Sequence, residues 1–369
     1  MPLLLFLSGF CLLRLVKKLH KPECKMLQQL SLRTARFGLH KDPFSMTPDP
    51  AMLYLTERHR EALAGLTYAI MRRQGFIVLT GEVGTGKTTL LARLRKHLPP
   101  ENVLCSHIVH PKLSSSEFLE MALAGWGILN PPESKAQRLL LLRDFLLAAR
   151  AGGKTAVLIV DEAHVLSASV LEEIRLLGNF EEADQKLLQI ILAGQNELAD
   201  LLNREDLRQI KQRIAVRLNI DRLSQHEIEG YIRHRWMKAG GDELPFSKEA
   251  LSEIAHWSRG IPRVINAICG NALTLLVAQD LPVIGPEHIR EVCTDLDITP
   301  IPVAVPAPSS APAAPPPPPV VSAAREATVP PVPPPEPDPE WAYVLKSFER
   351  YAPAKRKTFF ARWVGRLWA

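Results

Sequence analysis

"GFIVLTGEVGTGKTTLL", residues 75 to 91, decides the fold. It runs from a short β-rich apolar segment, through a loop carrying Gly81, Gly84 and Gly86, into a row of helix formers. Gly81 to Thr88 matches G-x-x-x-x-G-K-[ST] at every fixed position, in the strand–loop–helix setting that this pattern requires. Glycines let successive backbone N–H groups curl around phosphate oxygens, and the N-terminus of the following helix adds a favourable field. The candidate nucleotide-binding set is therefore Gly81, Glu82, Val83, Gly84, Thr85, Gly86, Lys87, Thr88 and Thr89. Lys87 is expected to reach the β- and γ-phosphates, and the Thr88 hydroxyl to bind magnesium.

Such a loop needs a second carboxylate at the end of a neighbouring buried strand. "VLIVDEAHVL", Val157 to Leu166, supplies it. Asp161 ends the apolar run and is expected to hold magnesium, whereas Glu162 is placed to orient or deprotonate the attacking water. The letters DEAH also name a class of helicases. A helicase of that class needs a second RecA-like domain, and beyond Ile220 this chain shows only helical sequence, a proline-rich stretch and a tail. The spelling at Ala163 and His164 is read as coincidence, and His164 receives no role.

Outward from these motifs, short apolar runs alternate with helical segments: "NVLCSHIV" then "SSSEFLEMALAGW", "LLQIILAG" then "NELADLL", and finally "IAVRLNI". This is the pattern of buried parallel strands in an α/β sheet. After Ile220 strands cease. Residues 224 to 239, 247 to 258, 262 to 279 and 286 to 296 read as four helices, entered through Ser224, Ser247, Pro262 and Pro286. Four further polar residues draw attention. Gln195 stands at the tip of the strand "LLQIILAGQ", where it either touches the γ-phosphate or attacking water, or caps the following loop. Arg208 and Arg213 precede the last strand, at a position suited to an arginine supplied to a neighbouring subunit. Arg263 opens a helix after a Gly-Ile-Pro turn, from which it could report the γ-phosphate to the lid.

The expected organisation is an apolar then basic segment over 1–35, a nucleotide-binding α/β domain over 36–220, a helical lid over 221–299, a proline-rich linker over 300–340, and a basic aromatic tail over 341–369. Roughly half of the 32 prolines fall in that linker, and no core forms from such composition. The start, "MPLLLFLSGFCLLRLVKKLHK", places its charges after the apolar stretch, the reverse of a secretory signal, and the stretch is short for a membrane span. An anchor, an interfacial helix and a mis-called start all fit it. The tail, if helical, makes an aromatic stripe flanked by arginines, fitting a membrane surface, a partner, or no fixed contact. Five scattered cysteines without a CxxC pair argue against disulfides or zinc and fit the cytoplasm. A net charge of +6 and a pI near 9.1 fit ordinary solubility better than a nucleic-acid footprint.

Taken together, the P-loop, the Asp-Glu strand, the polar strand tip, the arginine before the fifth strand and the "GIPRVIN" helix resemble an AAA+ ATPase. "FGLHKDPFSMTPDPAMLYLTERHREALAGLTYAI", "ILAGQNEL" and "LRQIKQRIAVRLNIDRLS" resemble, more narrowly, the general secretion pathway protein A (ExeA-type) ATPases. The likeness covers about residues 36 to 297. It implies a P-loop α/β core with a five-stranded parallel sheet ordered 5-1-4-3-2 and a four-helix lid. It also implies ATP with Mg2+, and subunits working as a homo-oligomeric ring. By motif match, Gln195 becomes sensor one, Arg263 sensor two and Arg213 the preferred finger. The sequence departs from the family at His110, which stands where a polar Asn is usual. It departs again after the lid, where the linker and tail replace a transmembrane helix and peptidoglycan-binding domain. The expected role is a motor or switch for an envelope secretion or exopolysaccharide apparatus, cytoplasmic or at the inner membrane face. A DNA-acting ATPase of the transposition or origin-binding type is the alternative.

Overall fold

The computed structural model describes residues 36–182 and 185–298. The expectations for the N-terminal apolar segment, the linker and the tail fall outside these residues. Among the described residues no helix is long and apolar enough to cross a membrane.

Five parallel strands form the central sheet: β1 (Phe76–Gly81), β2 (Val103–Ile108), β3 (Thr155–Val160), β4 (Leu188–Ala193) and β5 (Ile214–Ile220). Their order is β2-β3-β4-β1-β5, the expected 5-1-4-3-2. All six residues of β3 and all six of β4 are buried, which is why both segments read as nearly continuous apolar runs rather than alternations. β5 lies at an edge and alternates half-buried with exposed residues. The register pairs Leu79 with Ala193, Leu192 with Val160, and Val160 with Ile108. The carboxyl ends of β1, β3 and β4 therefore finish side by side, bringing the P-loop, Asp161–Glu162 and Gln195 to one rim.

Helices cover both faces. α1 (Glu57–Met71) and α2 (Lys87–His97) enclose one apolar layer with Ile77, Leu79, Val157 and Ile191. α3 (Ser115–Gly125), α4 (Lys135–Ala151), α5 (Ala168–Leu177) and α6 (Glu197–Asn203) enclose the other, around Phe118, Leu158, Ile174 and Leu192. α7 (Arg208–Lys211) is a single turn before β5. A two-residue antiparallel ladder joins Glu181–Glu182 to Gln185–Lys186. The one buried polar side chain of β4, Gln189, is bonded at both ends of its amide: its Oε1 accepts the Gly75 N–H at 2.8 Å and its Nε2 donates to the Lys186 carbonyl at 3.0 Å.

Beyond β5 come the four lid helices, α8 (Gln225–Lys238), α9 (Lys248–Ser258), α10 (Pro262–Ala278) and α11 (Pro286–Asp295). Each begins where its sequence signal lies. Ser224 forms a capping box with Glu227, Ser247 accepts the Ala250 N–H, and Pro262 and Pro286 occupy first turns. The lid has its own core, built from residues such as Ile232, Trp236, Ile254, Ile265 and Ile268. Leu39, Phe44 and Met52 from the segment preceding α1 pack into this lid cluster rather than into either layer of the sheet. One buried arginine fixes that segment in place. Arg235 of α8 donates from Nε to the Pro43 carbonyl at 2.5 Å and from Nη1 to the Tyr231 hydroxyl at 3.1 Å, and Tyr231 in turn donates to Asn266 at 2.7 Å.

Candidate functional site

A cleft of roughly 360 Å³ opens between the rim of the sheet, the lid and the segment before α1. Val83 to Thr89 form its floor, Glu162 one wall, and Arg263 and Asn266 the lid side. Met52, Tyr54 and Leu223 add apolar lining. Its volume lies within the range of sites that enclose a small organic ligand, about 300–1,000 Å³.

The P-loop has the curvature that its glycines permit. Gly84 and Gly86 have φ of +80° and +101°, in the left-handed region that glycine occupies without penalty. Gly86 leads directly into α2, so the free N–H groups of the helix start face the cleft. Lys87 is buried, and Nζ donates to the carbonyls of Gly81 and Glu82, each at 2.8 Å. An ammonium has three donors, so these two bonds aim the side chain and leave one for a ligand. Burial lowers the Lys87 pKa, and the nearby carboxylates of Glu162 and Asp161 oppose that effect. The Glu82 carboxylate is held by Arg222, at 2.7 Å, where β5 leads into the lid.

Thr88 and Asp161 meet directly, with the hydroxyl donating to Oδ2 at 2.7 Å. The second oxygen of Asp161 accepts the Glu162 N–H at 2.9 Å, and Asp161 is only 1% exposed. These are hard oxygen donors on adjacent elements beside a phosphate cradle, a set that suits magnesium, which takes one or two protein oxygens and keeps most of its waters. Glu162 adopts φ +53°, a left-handed conformation that costs a non-glycine residue about 1–2 kcal/mol. Its carboxylate is 44% exposed and turned towards the cleft, in contrast to its buried neighbour.

The structure brings most of the candidate residues together, but not all. Val83 through Thr89, Glu162 and Arg263 line the cleft, and Asp161 lies just beneath it. The Arg263 N–H reaches the Gly84 carbonyl at 3.3 Å, so the start of α10 rests on the P-loop itself. Gln195 does not line the cleft; its N–H points to His164 Nδ1 at 3.5 Å. Arg213 lies at the opposite end of the sheet, where it donates to the Arg175 carbonyl and to Asn179. Arg208 is exposed, and among the described residues no hydrogen bond or ion pair holds its side chain. His110 stands exposed on the turn after β2.

Sequence reasoning missed a support behind the loop. His59 of α1 is buried with its Nε2 3.2 Å from the Thr85 carbonyl and its Nδ1 2.6 Å from the Thr56 hydroxyl. The set is consistent when Thr56 donates to Nδ1 and Nε2–H donates to Thr85, which fixes a neutral ring. Burial lowers the His59 pKa, and its hydrogen bond to Thr85 opposes that shift. Thr56 is also the cap of α1, accepting the His59 N–H. A Thr-x-x-His pair at a helix start signals only the cap; its reach to the P-loop depends on the fold.

Residues 70–202 match a family model described as an AAA domain. General secretion pathway protein A of Aeromonas hydrophila is 42% identical over 247 residues, covering 67% of this chain and 45% of that protein. An uncharacterised HTH-type transcriptional regulator of Methanocaldococcus jannaschii is 25% identical over 252 residues, covering 65% of this chain and 61% of that one. The chain thus spans about half the length of the curated relatives it matches. Among solved structures, Cdc6p from Pyrobaculum aerophilum aligns with a TM-score of 0.54 at 19% identity, over 70% of this chain and 71% of that one. The ORC2 protein of Aeropyrum pernix, in ADPNP–ADP complexes, aligns at 0.52 with 16% identity, over 69% and 71%. At such identities these two structures share the fold with this chain.

Proposed function

The chain belongs to the AAA+ proteins, in the branch of general secretion pathway protein A, and from that premise we propose that it is an ATP-hydrolysing motor or switch serving an envelope secretion or exopolysaccharide apparatus. The observation that carries the catalytic half of this reading is the Thr88–Asp161–Glu162 arrangement at the foot of the P-loop. Lys87 and the loop N–H groups bind and orient the phosphates, with Thr88 and Asp161 holding Mg2+. Mg2+ supplies charge neutralisation at the phosphate oxygens. Glu162, exposed to the cleft, accepts the proton of the attacking water. Gln195 and Arg263 act as the sensors on the sheet and lid sides.

Subunits assemble as a ring, and an arginine before β5 completes a neighbour's site. Arg213 is the choice that the family resemblance favours. Its in-chain bonds to Arg175 and Asn179 have to open for that role, whereas Arg208 is unencumbered. The residues beyond the described core are the natural contacts to a membrane surface or to the apparatus. The identity to general secretion pathway protein A supports the envelope role. The basic tail and the pI near 9.1 permit, as a second reading, an ATPase acting on DNA.

ATP binding and turnover of the full chain, measured with and without duplex DNA at several salt concentrations, test both halves. Lys87→Ala is expected to abolish nucleotide binding, whereas Glu162→Gln binds ATP and stalls. Parental turnover by Glu162→Gln rejects the base assignment. DNA-stimulated turnover that collapses as salt rises favours the DNA-acting reading over the envelope one.

A further inference from the structure

His164 has no part in holding a nucleotide, yet the fold places it between two groups that do the chemistry. Its Nδ1 lies 3.4 Å from Glu162 Oε2 and 3.5 Å from the Gln195 backbone nitrogen. The ring is largely enclosed, with its side chain 15% exposed. Its short turn is pinned on either side by Ala163 and Leu166, both in the core. The tip of β4 fits closely against that turn. A Cβ added at Gly194 would sit 3.1 Å from the His164 nitrogen, so the approach depends on the missing side chain.

A single ring nitrogen can offer a lone pair or a proton, but not both. With its lone pair available, Nδ1 accepts the Gln195 N–H and leaves the Glu162 carboxylate unrestrained. With a proton there, Nδ1 donates to Glu162 and gives up Gln195. The two contacts exclude each other.

We propose that His164 is a positioning residue that couples Gln195 to Glu162. It rests on the reading of Glu162 as the base. As Gln195 engages the terminal phosphate, its N–H draws away from the ring. The neutral imidazole then carries its proton on Nδ1 instead of Nε2, exchanging it through solvent with no net change in charge. That N–H fixes one oxygen of Glu162 and leaves the other to receive the proton of the attacking water. The strand tip that senses the phosphate thereby sets the direction of the carboxylate.

The test uses the full-length protein and measures kcat and KM for ATP in His164→Ala, His164→Asn, Glu162→Gln and the His164→Ala/Glu162→Gln pair. The amide of asparagine reaches about where Nδ1 stands. His164→Ala is expected to lower kcat about tenfold with KM little changed, the scale of one charge-assisted hydrogen bond in the transition state. His164→Asn recovers most of the loss. In the Glu162→Gln background the alanine change costs nothing more, because the group it positions is gone. Parental kcat in His164→Ala, with Glu162→Gln stalled, overturns the coupling and leaves the base assignment standing. A rise in KM without rescue by asparagine marks a packing role and also overturns it. Parental turnover by Glu162→Gln removes the base and the coupling together.

Discussion

Gly84 is a glycine that the P-loop pattern does not demand, and its replacement by alanine measures how closely the lid rests on the loop. At φ +80° an alanine bears a left-handed penalty of about 1–2 kcal/mol, partly offset by about 0.4–1 kcal/mol from a stiffer unfolded chain. The new Cβ would also lie 2.6 Å from the Arg263 Cβ and 3.2 Å from Ile261 Cγ2. Carbon atoms settle at about 3.5–4.0 Å, so the start of α10 has to retreat by roughly 1 Å. That retreat breaks the 3.3 Å bond from the Arg263 N–H to the Gly84 carbonyl, which contributes about 1 kcal/mol. Gly127 is the matched control, since at φ +82° it bears the same backbone penalty with no atom within 4 Å. Gly127→Ala is expected to lower stability by about 1 kcal/mol and leave ATP affinity unchanged. Gly84→Ala should lose about 1–2 kcal/mol more and bind a fluorescent ATP analogue about tenfold more weakly, because the lid side of the cleft has moved. Denaturant unfolding and a binding titration read the two effects. Equal losses in the two variants, with equal ATP affinity, would refute the close contact between loop and lid.

Two further expectations concern buried polar groups. Burial lowers the folded-state pKa of His59, so the unfolded chain takes up a proton first as pH falls. The stability that this neutral ring confers is therefore present above about pH 6.5 and is lost below it, at up to about 1.4 kcal/mol per pH unit. His59→Gln should flatten that part of a stability–pH profile measured by urea unfolding, and an unchanged slope would rule out His59 as its source. Gln189→Leu leaves the Gly75 N–H without its partner inside the sheet and is expected to cost about 1–3 kcal/mol in thermal or denaturant unfolding. A loss below about 0.5 kcal/mol would show that another group satisfies that N–H.

What the sequence made legible was local. The P-loop, the apolar runs of β3 and β4, and the caps at Ser224 and Ser247 each declare themselves within a few residues. α4 escapes the alternation because four consecutive leucines, Leu139 to Leu142, blur its period, although only Leu142 among them is fully buried. The supports of the site are a different matter. His59 meets Thr85 across 26 residues, and Arg235 meets Pro43 across 192. No spacing rule connects such pairs; they exist only once α1 lies under the loop and the leading segment lies on the lid. Gly84 is similar, since what excludes a side chain there is Arg263, from the lid and 179 residues further along the chain. The sequence offers no role for His164, and only the side-by-side ends of β3 and β4 show what it touches.

The buried Arg235 bonds have a mechanical consequence. They unite the leading segment with the lid, so the cleft wall that carries Met52 and the wall that carries Asn266 are parts of one body. The chain passes between that body and the sheet twice, once just before α1 and once just after β5. Moving the lid away from the sheet therefore carries the leading segment with it, and both crossings stand beside the P-loop, where His59 reaches Thr85 and Arg222 holds Glu82.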